Sequence, residues 1–509
     1  MMHRFVIVAA VALGLAVPAR AGHIDEHHQK AKIQKDLDAF RKNTPKFMNR
    51  QVPKHKAKKW HPFQFLKKFS HFGWSAKFKH ALRVRKMKWF PKGREAPGAR
   101  DQAQALVDKF EVRTLPQIEQ RGLRTAKLAE TPWSDDYWAI YSGVTAKRYS
   151  DVSMRSLIGG QDWKKITDAM KLKLGKNITQ ANVGDLSPAE KYDLIVGDGA
   201  WTLTRHQLNE GAAYWSPSKK VETWMGICHG WAPAAYNLPR AKKTINVKSA
   251  DGRFDIPFYP ADIRALGSLL WAETHPTTRF IGGRCNVEKP PQDPATGRVQ
   301  AAECRDTNPG TWHLAIVNQI GVAKRSFVID ATFDYEVWNQ PVYSYKYSYF
   351  NPQRWQYANS LQDATVAKAA FTKDRFKAFR NNPAATHFVG IAMDVQWVVE
   401  VQPSHSATNS PANDLTSGAR YFYDVELDAQ GNIIGGEWYQ NAHPDFLWNA
   451  PAGTKARSSV ETGTMVASAG TWDATGPMPA NWRSMAPNAS RAGEPLSLVV
   501  EALSTRANR

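Results

Sequence analysis

Apolar and polar positions fall into two rhythms along the chain. From Asp151 to Leu174 apolar residues recur among charged ones at helical spacing. The run Leu186 to Asp193 carries a helix-start signal: Ser187 in the N-cap position, Pro188 in the first turn and Glu190 where a capping box needs it, with Gly197-Asp198-Gly199 to end the helix. Asp262 to Thr274 reads as a helix that buries Ile263, Leu266, Leu270 and Trp271. An alanine-rich helix is predicted just after Cys228, and a polar helical connector over Asp101 to Glu130. Two β-rich apolar runs follow, Trp312 to Ile320 and Ser326 to Phe333. Strands are expected over Phe388 to Gln402 and Ala419 to Tyr439, with Asp428 to Asn432 as a hairpin turn. Helices and strands mixed in this way predict an α+β fold. From Asn449 the chain is rich in Ala, Ser, Gly, Thr and Pro and is expected to be loosely packed.

The N-terminal part follows neither rhythm. A short apolar run, Phe5 to Val17, stands between a basic start and Pro18-Ala19-Arg20-Ala21, which reads as a secretory signal cleaved after Ala21. The run is too short to span a bilayer, so an exported protein without a transmembrane segment is expected, extracellular or periplasmic. Between Ala39 and Arg94 there are 18 Lys or Arg and no Asp or Glu, so much of the net charge of +22 sits there, interleaved with Trp and Phe. A propeptide covering the site, or a module for an anionic surface or polymer, would each use such a stretch. It carries no motif for a specific nucleic acid. The implied division is a signal peptide over 1–21, a basic region over 22–130, a catalytic domain over 131–450 and a tail over 451–509.

Hydrophobic residues make up 42% of the 509, with 19 tryptophans and only three cysteines. That composition describes a folded chain, and the cysteines are the informative part. Cys285 and Cys304 flank a polar loop, and a disulfide between them is expected, contributing roughly 3 kcal/mol by loop closure. Cys228 is then left over, which in an exported protein marks a reactive thiol. Taken alone, a lone cysteine is more often a packed small hydrophobe. Its placing at a helix start, in Trp224-Met225-Gly226-Ile227-Cys228-His229-Gly230-Trp231-Ala232, gives it access to exposed N–H groups and the positive end of the helix dipole.

A thiol that transfers acyl groups needs an imidazole, a group that orients the imidazole, and N–H donors for the oxyanion. If the two β-rich runs form a hairpin with its turn at Gly321-Val322, His313 faces Asp330 across the strands, within reach of a carboxylate–imidazole hydrogen bond. Asp334 is the rival carboxylate, and His229, next to the thiol, is the weaker base. Trp224 and Trp201 offer indole N–H groups as a second oxyanion donor beside the Cys228 backbone. No C-x-x-C or H-E-x-x-H spacing points to a metal.

The order Cys, His, Asp resembles the transglutaminase branch of the papain-like fold. The stretch Trp224 to Ala232 resembles, more narrowly, the transglutaminase elicitor family. Trp133-Ser134-Asp135-Asp136-Tyr137-Trp138, Trp312-His313-Leu314-Ala315, Val328 to Thr332, Gly435-Gly436-Glu437-Trp438 and His443-Pro444-Asp445-Phe446 support the resemblance. It implies a papain/transglutaminase-like core with an added β-rich C-terminal part. It also implies protein-glutamine γ-glutamyltransferase activity, in which Cys228 forms a thioester with a glutamine side chain and a lysine amine resolves it. Protein substrates with accessible Gln and Lys would be the partners, and calcium is a possible cofactor because transglutaminases differ in needing it. The alternatives are a cysteine peptidase, amidase or deamidase of the same fold, and a polyanion- or surface-binding protein whose triad is inactive.

Overall fold

The structure is a computed structural model that describes residues 19–50, 101–285, 287, 289–301, 304, 305, 307–331, 336–476 and 478–509. Most of the expected signal sequence, the basic stretch over 51–100 and the rival carboxylate Asp334 lie outside the described residues.

The helices that position the site are α1 (Ala19–Lys42), α2 (Pro188–Val196), α3 (Thr202–Asn209), α4 (Cys228–Asn237), α5 (Pro260–Glu273), α6 (Pro309–Ile316), α7 (Ala480–Arg491) and α8 (Ser497–Asn508). The main strands are β1 (Arg279–Gly282), β2 (Val328–Asp330), β3 (Asn339–Asn351), β4 (His387–Val399), β5 (Leu415–Leu427), β6 (Ile433–Trp438) and β7 (Phe446–Asn449). They form one antiparallel sheet in the order β6-β5-β4-β3-β2-β7-β1, with three short strands added at its margins. The class is α+β, as the patterning predicts.

Several local signals act as expected. Ser187 and Glu190 close a reciprocal capping box at the start of α2, and Gly197 ends it in the left-handed conformation at φ 78°. The Asp428 carboxylate accepts from the Gln430 and Asn432 backbone N–H groups and so shapes the β5–β6 turn. One element differs. Trp312 to Ile320 is helical: α6 runs into a π-helical turn over Val317–Val322. Asn308 caps α6 by accepting from the Gly310 N–H, and Pro309 occupies its first turn. Nearly every residue that follows is buried, so the run is apolar on all sides and has no periodicity to separate it from a strand. The exceptions are His313 and the buried amides Asn318 and Gln319, and the amides pin the segment 108–112 through its backbone N–H groups.

The stretch expected as a polar helical connector, Asp101 to Glu130, is helical only over Ala103–Leu106 and Leu115–Gln120, and it reaches the core through Leu106, Leu115 and Ile118, which are fully buried. The C-terminal stretch is also tighter than expected, because Leu496, Val499, Val500 and Leu503 bury completely in the main core. At the other end, α1 sends Ile33, Leu37 and Phe40 into a second cluster on the sheet with Phe350, Trp355 and Tyr439, where Phe40 stacks on Tyr439 at 5.0 Å.

The pair α4–α5 is the closest helix contact that concerns the site. α5 is buried from Pro260 to Ala272. A Cβ at Gly230 of α4 would collide with the Ser268 carbonyl oxygen and the Ala272 side chain. Gly230→Ala should therefore destabilise the fold by about 1–3 kcal/mol, the usual cost of overpacking. A melting temperature equal to that of the wild type would contradict this packing.

Candidate active site

The turn before α4 is built by close backbone approach. The Ile227 N–H donates to the Tyr137 carbonyl at 2.8 Å, and Gly226 lies against that same carbonyl with no room for a side chain. Tyr137 belongs to the Trp133–Trp138 segment, which ties α4 to α5. The Trp231 indole donates to the Trp133 carbonyl at 2.9 Å. Asp135, fully buried, accepts from the Trp138 indole at 2.9 Å and the Ser268 hydroxyl at 3.0 Å, with Arg264 3.5 Å away. Cys228 is the first residue of α4, so its N–H has no partner within the helix.

The thiol lines a cleft with about 950 Å³ of open space. Trp224, Trp271, Phe280, Phe446 and Trp448 form aromatic walls, and the polar lining includes His229, His275, Arg284 and Asn339. None of the described lining residues is acidic. Cys228 Sγ has two neighbours of note: the Val337 carbonyl at 3.9 Å and Asn339 Nδ2, which donates to it at 3.5 Å. Burial pushes the thiol up to about 11. The Asn339 side-chain and backbone N–H groups pull it down, while the charges of Glu400 and Asp330 add to the rise. His229 is half-buried and pushed down to about 4, by desolvation first and by neighbouring His275 second. His275, at the exposed rim, holds a left-handed backbone at φ 45°.

The remaining sequence candidates are distributed differently. His313 lies on α6, so the hairpin that would set it opposite Asp330 does not exist. Its Nδ1 sits 2.9 Å from the Tyr423 hydroxyl, its ring packs edge-on against Tyr347, and Nε2 has no hydrogen-bond partner among the described residues. Burial pushes it down to about 3. Asp330, on β2, accepts from the Trp338 N–H at 3.2 Å and stands across from Asn339 in the β2–β3 register. Trp224 lines the cleft, but its indole donates to Glu222 at 2.6 Å. Trp201 caps α3 and does not line the cleft. Cys285 and Cys304 are bonded, and Cys228 is a free, buried cysteine. Among the described residues no group of three or more His, Cys, Asp or Glu could hold a metal ion, and no helix is long and apolar enough to cross a membrane.

A protein-family profile, the transglutaminase elicitor, matches residues 106–469, well over half of the chain. The chain belongs to the transglutaminase elicitor family. Among solved structures it is similar to the GP42 transglutaminase from Phytophthora sojae, at 23% identity and a TM-score of 0.49, covering 78% of this chain and 99% of that one. Comparison with curated proteins finds no match.

Within this elicitor-family chain, sequence reasoning misses three residues of the cleft lining, His275, Asn339 and Trp448. A lone asparagine at a strand start gives no signal; only the β2–β3 pairing, which sets it beside the thiol, reveals it. Two measurements follow from the site. With the thiol near 11, alkylation of Cys228 by iodoacetamide should be slow at pH 7 and still climb between pH 9 and 10; a rate already level above pH 7 would contradict the described environment. For His313, the lowered pKa makes the folded state bind its proton less tightly than the unfolded chain. Its contribution is fully present above the ordinary value of 6.5 and is lost as pH falls toward about 3. The stability gap between wild type and His313→Gln should shrink by about 1.4 kcal/mol per pH unit below 6.5. A gap that stays constant down to pH 4.5 would show that the imidazole protonates inside the fold.

Proposed function

We propose that this chain is an exported protein-glutamine γ-glutamyltransferase with Cys228 as its nucleophile. The observation that carries this reading is the free thiol at a helix N-terminus, set in an aromatic cleft whose described lining has no carboxylate, in a chain of the transglutaminase elicitor family. A neutral glutamine carboxamide can enter such an aromatic cleft without giving up the hydration of a charge.

The reaction balances as follows. Sγ attacks the carboxamide carbon while its proton passes to an imidazole; the C–N bond breaks, and ammonia leaves with that proton. A lysine amine then attacks the thioester, forming the isopeptide bond and returning a proton to the thiol. The Cys228 backbone N–H is available for the oxyanion. His313, held by Tyr423 and without a bond to Asp330, does not suit the base; the imidazoles of the cleft are His229 and His275. His275 is the better carrier, because it is exposed at the rim while His229 is half-buried and held neutral. Asp330 acts on the site by accepting the Trp338 N–H at the start of β3, not by orienting His313.

Water in place of lysine gives deamidation, and a peptide bond in place of the carboxamide gives proteolysis. A different reading, a surface-binding protein with an idle site, is favoured by one observation: with a thiol near 11, only about one sulfur in a thousand is ionised at pH 8.

The test is incorporation of a labelled amine into a glutamine-containing protein, with and without calcium. Incorporation should vanish in Cys228→Ala, fall about 100-fold or more in His275→Ala, and stay within a few-fold of wild type in His313→Gln. Peptide cleavage without incorporation, or an unchanged biological effect of Cys228→Ala with surface binding intact, would overturn the transferase reading. Loss in His313→Gln equal to that in Cys228→Ala would return the base to His313.

A further inference from the structure

Asn339 sits in a setting that leaves its amide one orientation. The Trp448 indole N–H lies 2.8 Å from Oδ1 and can only donate. The atom that faces it must therefore be the amide oxygen, and the NH₂ group is turned toward Cys228 Sγ, 3.5 Å away. The residue is 5% exposed. Trp448 lies on β7 and Asn339 on β3, the two strands that flank β2 in the sheet. On β2, Asp330 accepts from the Trp338 N–H and anchors the backbone that carries Asn339. The Val337 carbonyl on the same segment faces Sγ from 3.9 Å and suits a protonated thiol, whose S–H can donate to it. Once the proton leaves, that oxygen repels the sulfur, while the Asn339 NH₂ stands beside the anion as a donor.

We propose that Asn339 is a catalytic residue of the Cys228 site, donating its Nδ2–H to the sulfur as negative charge develops there, and that Trp448 is the positioning residue that fixes the amide with its NH₂ toward the thiol. This rests on reading Cys228 as the nucleophile. The bond strengthens on going from thiol to thiolate, because hydrogen bonds to a charged acceptor are about twice as strong as neutral ones. It therefore favours the reacting state over the resting one. It acts again when the thioester is resolved, as sulfur departs from the acyl carbon and charge returns to Sγ.

The experiment measures the pH profile of Cys228 alkylation by iodoacetamide, together with amine incorporation, in the full chain and in Asn339→Ala, Asn339→Ser and Trp448→Phe. The midpoint of the profile, unlike the rate at one pH, does not scale with reagent access, and water admitted by an opened cleft would lower it, so an upward shift cannot come from opening. Asn339→Ala should move the midpoint up by about one pH unit, a tenfold loss of thiolate at fixed pH. Asn339→Ser keeps a hydroxyl donor on a shorter arm and should show a smaller upward shift. Trp448→Phe keeps the ring but frees the amide to turn over, so its midpoint should also rise. If Asn339→Ala does not fold, Asn339→Ser and Trp448→Phe carry the test. A midpoint that stays in place in the folded variants while their melting temperatures fall would reduce Asn339 to a structural role and overturn the proposal. If wild type incorporates no amine but the midpoints shift, the transferase reading fails and the donor role of Asn339 toward the sulfur stands. If wild type incorporates amine and Asn339→Ala keeps both its midpoint and its kcat/KM, this inference fails alone.

Discussion

The close seating of the first turn of α4 is the constraint on which the site depends. Gly226 presses against the Tyr137 carbonyl on one side and Gly230 against the Ser268 carbonyl on the other. This contact has two effects on the sulfur. It places Cys228 at a helix N-terminus facing the sheet, where N–H groups and the helix dipole favour an anion. It also removes the thiol from water, and burial is the larger of the influences on its proton, which it holds up to about 11. The described site is thus a resting one, with the sulfur protonated and sheltered.

Buried polar groups supply the order around that turn. Asp135 is charged only at a cost, being fully buried and pushed up to about 6, yet it accepts from Trp138 and Ser268 and stands next to Arg264. The segment from Trp133 to Trp138 is therefore scaffolding for α4 and α5. Asp330 does a comparable job for the segment from Val337 to Asn339 on the opposite side of the sulfur. Two carboxylates on separate elements thus hold the two walls between which Cys228 sits. Such groups are worth their desolvation only where each has partners, as here.

Much of this was legible in the sequence where a residue's local chemistry decides the outcome. The Ser187–Glu190 capping box, the Asp428 turn and the helix after Cys228 each depend on residue types at short spacings, and the Cys285–Cys304 bond follows from two cysteines flanking one polar loop. The helix α6 reads as a strand because it is buried on all sides, and a run with no continuous polar face looks the same in either conformation; Asn308 and Pro309, ahead of the run, are the signal that separates the two. The pairing of His313 with Asp330 fell with that strand. The C-terminal composition hid a tight packing for a related reason: Ala and Ser at helix–helix contacts read as low complexity, although Ala486, Ala489 and Ser490 are completely buried. Asn339 lay beyond reach because its role comes from a long-range contact, 111 residues from Cys228 in the chain.

The central claim, that Cys228 carries the acyl group, is tested most directly by trapping the intermediate. The full chain is incubated with a glutamine-containing peptide and no amine, quenched in acid, and digested for mass spectrometry. The claim predicts an adduct on the segment bearing Cys228, equal in mass to the peptide less ammonia, which hydroxylamine removes and Cys228→Ala never forms. An adduct that persists in Cys228→Ala, or amine incorporation by wild type with no adduct at Cys228, would contradict it.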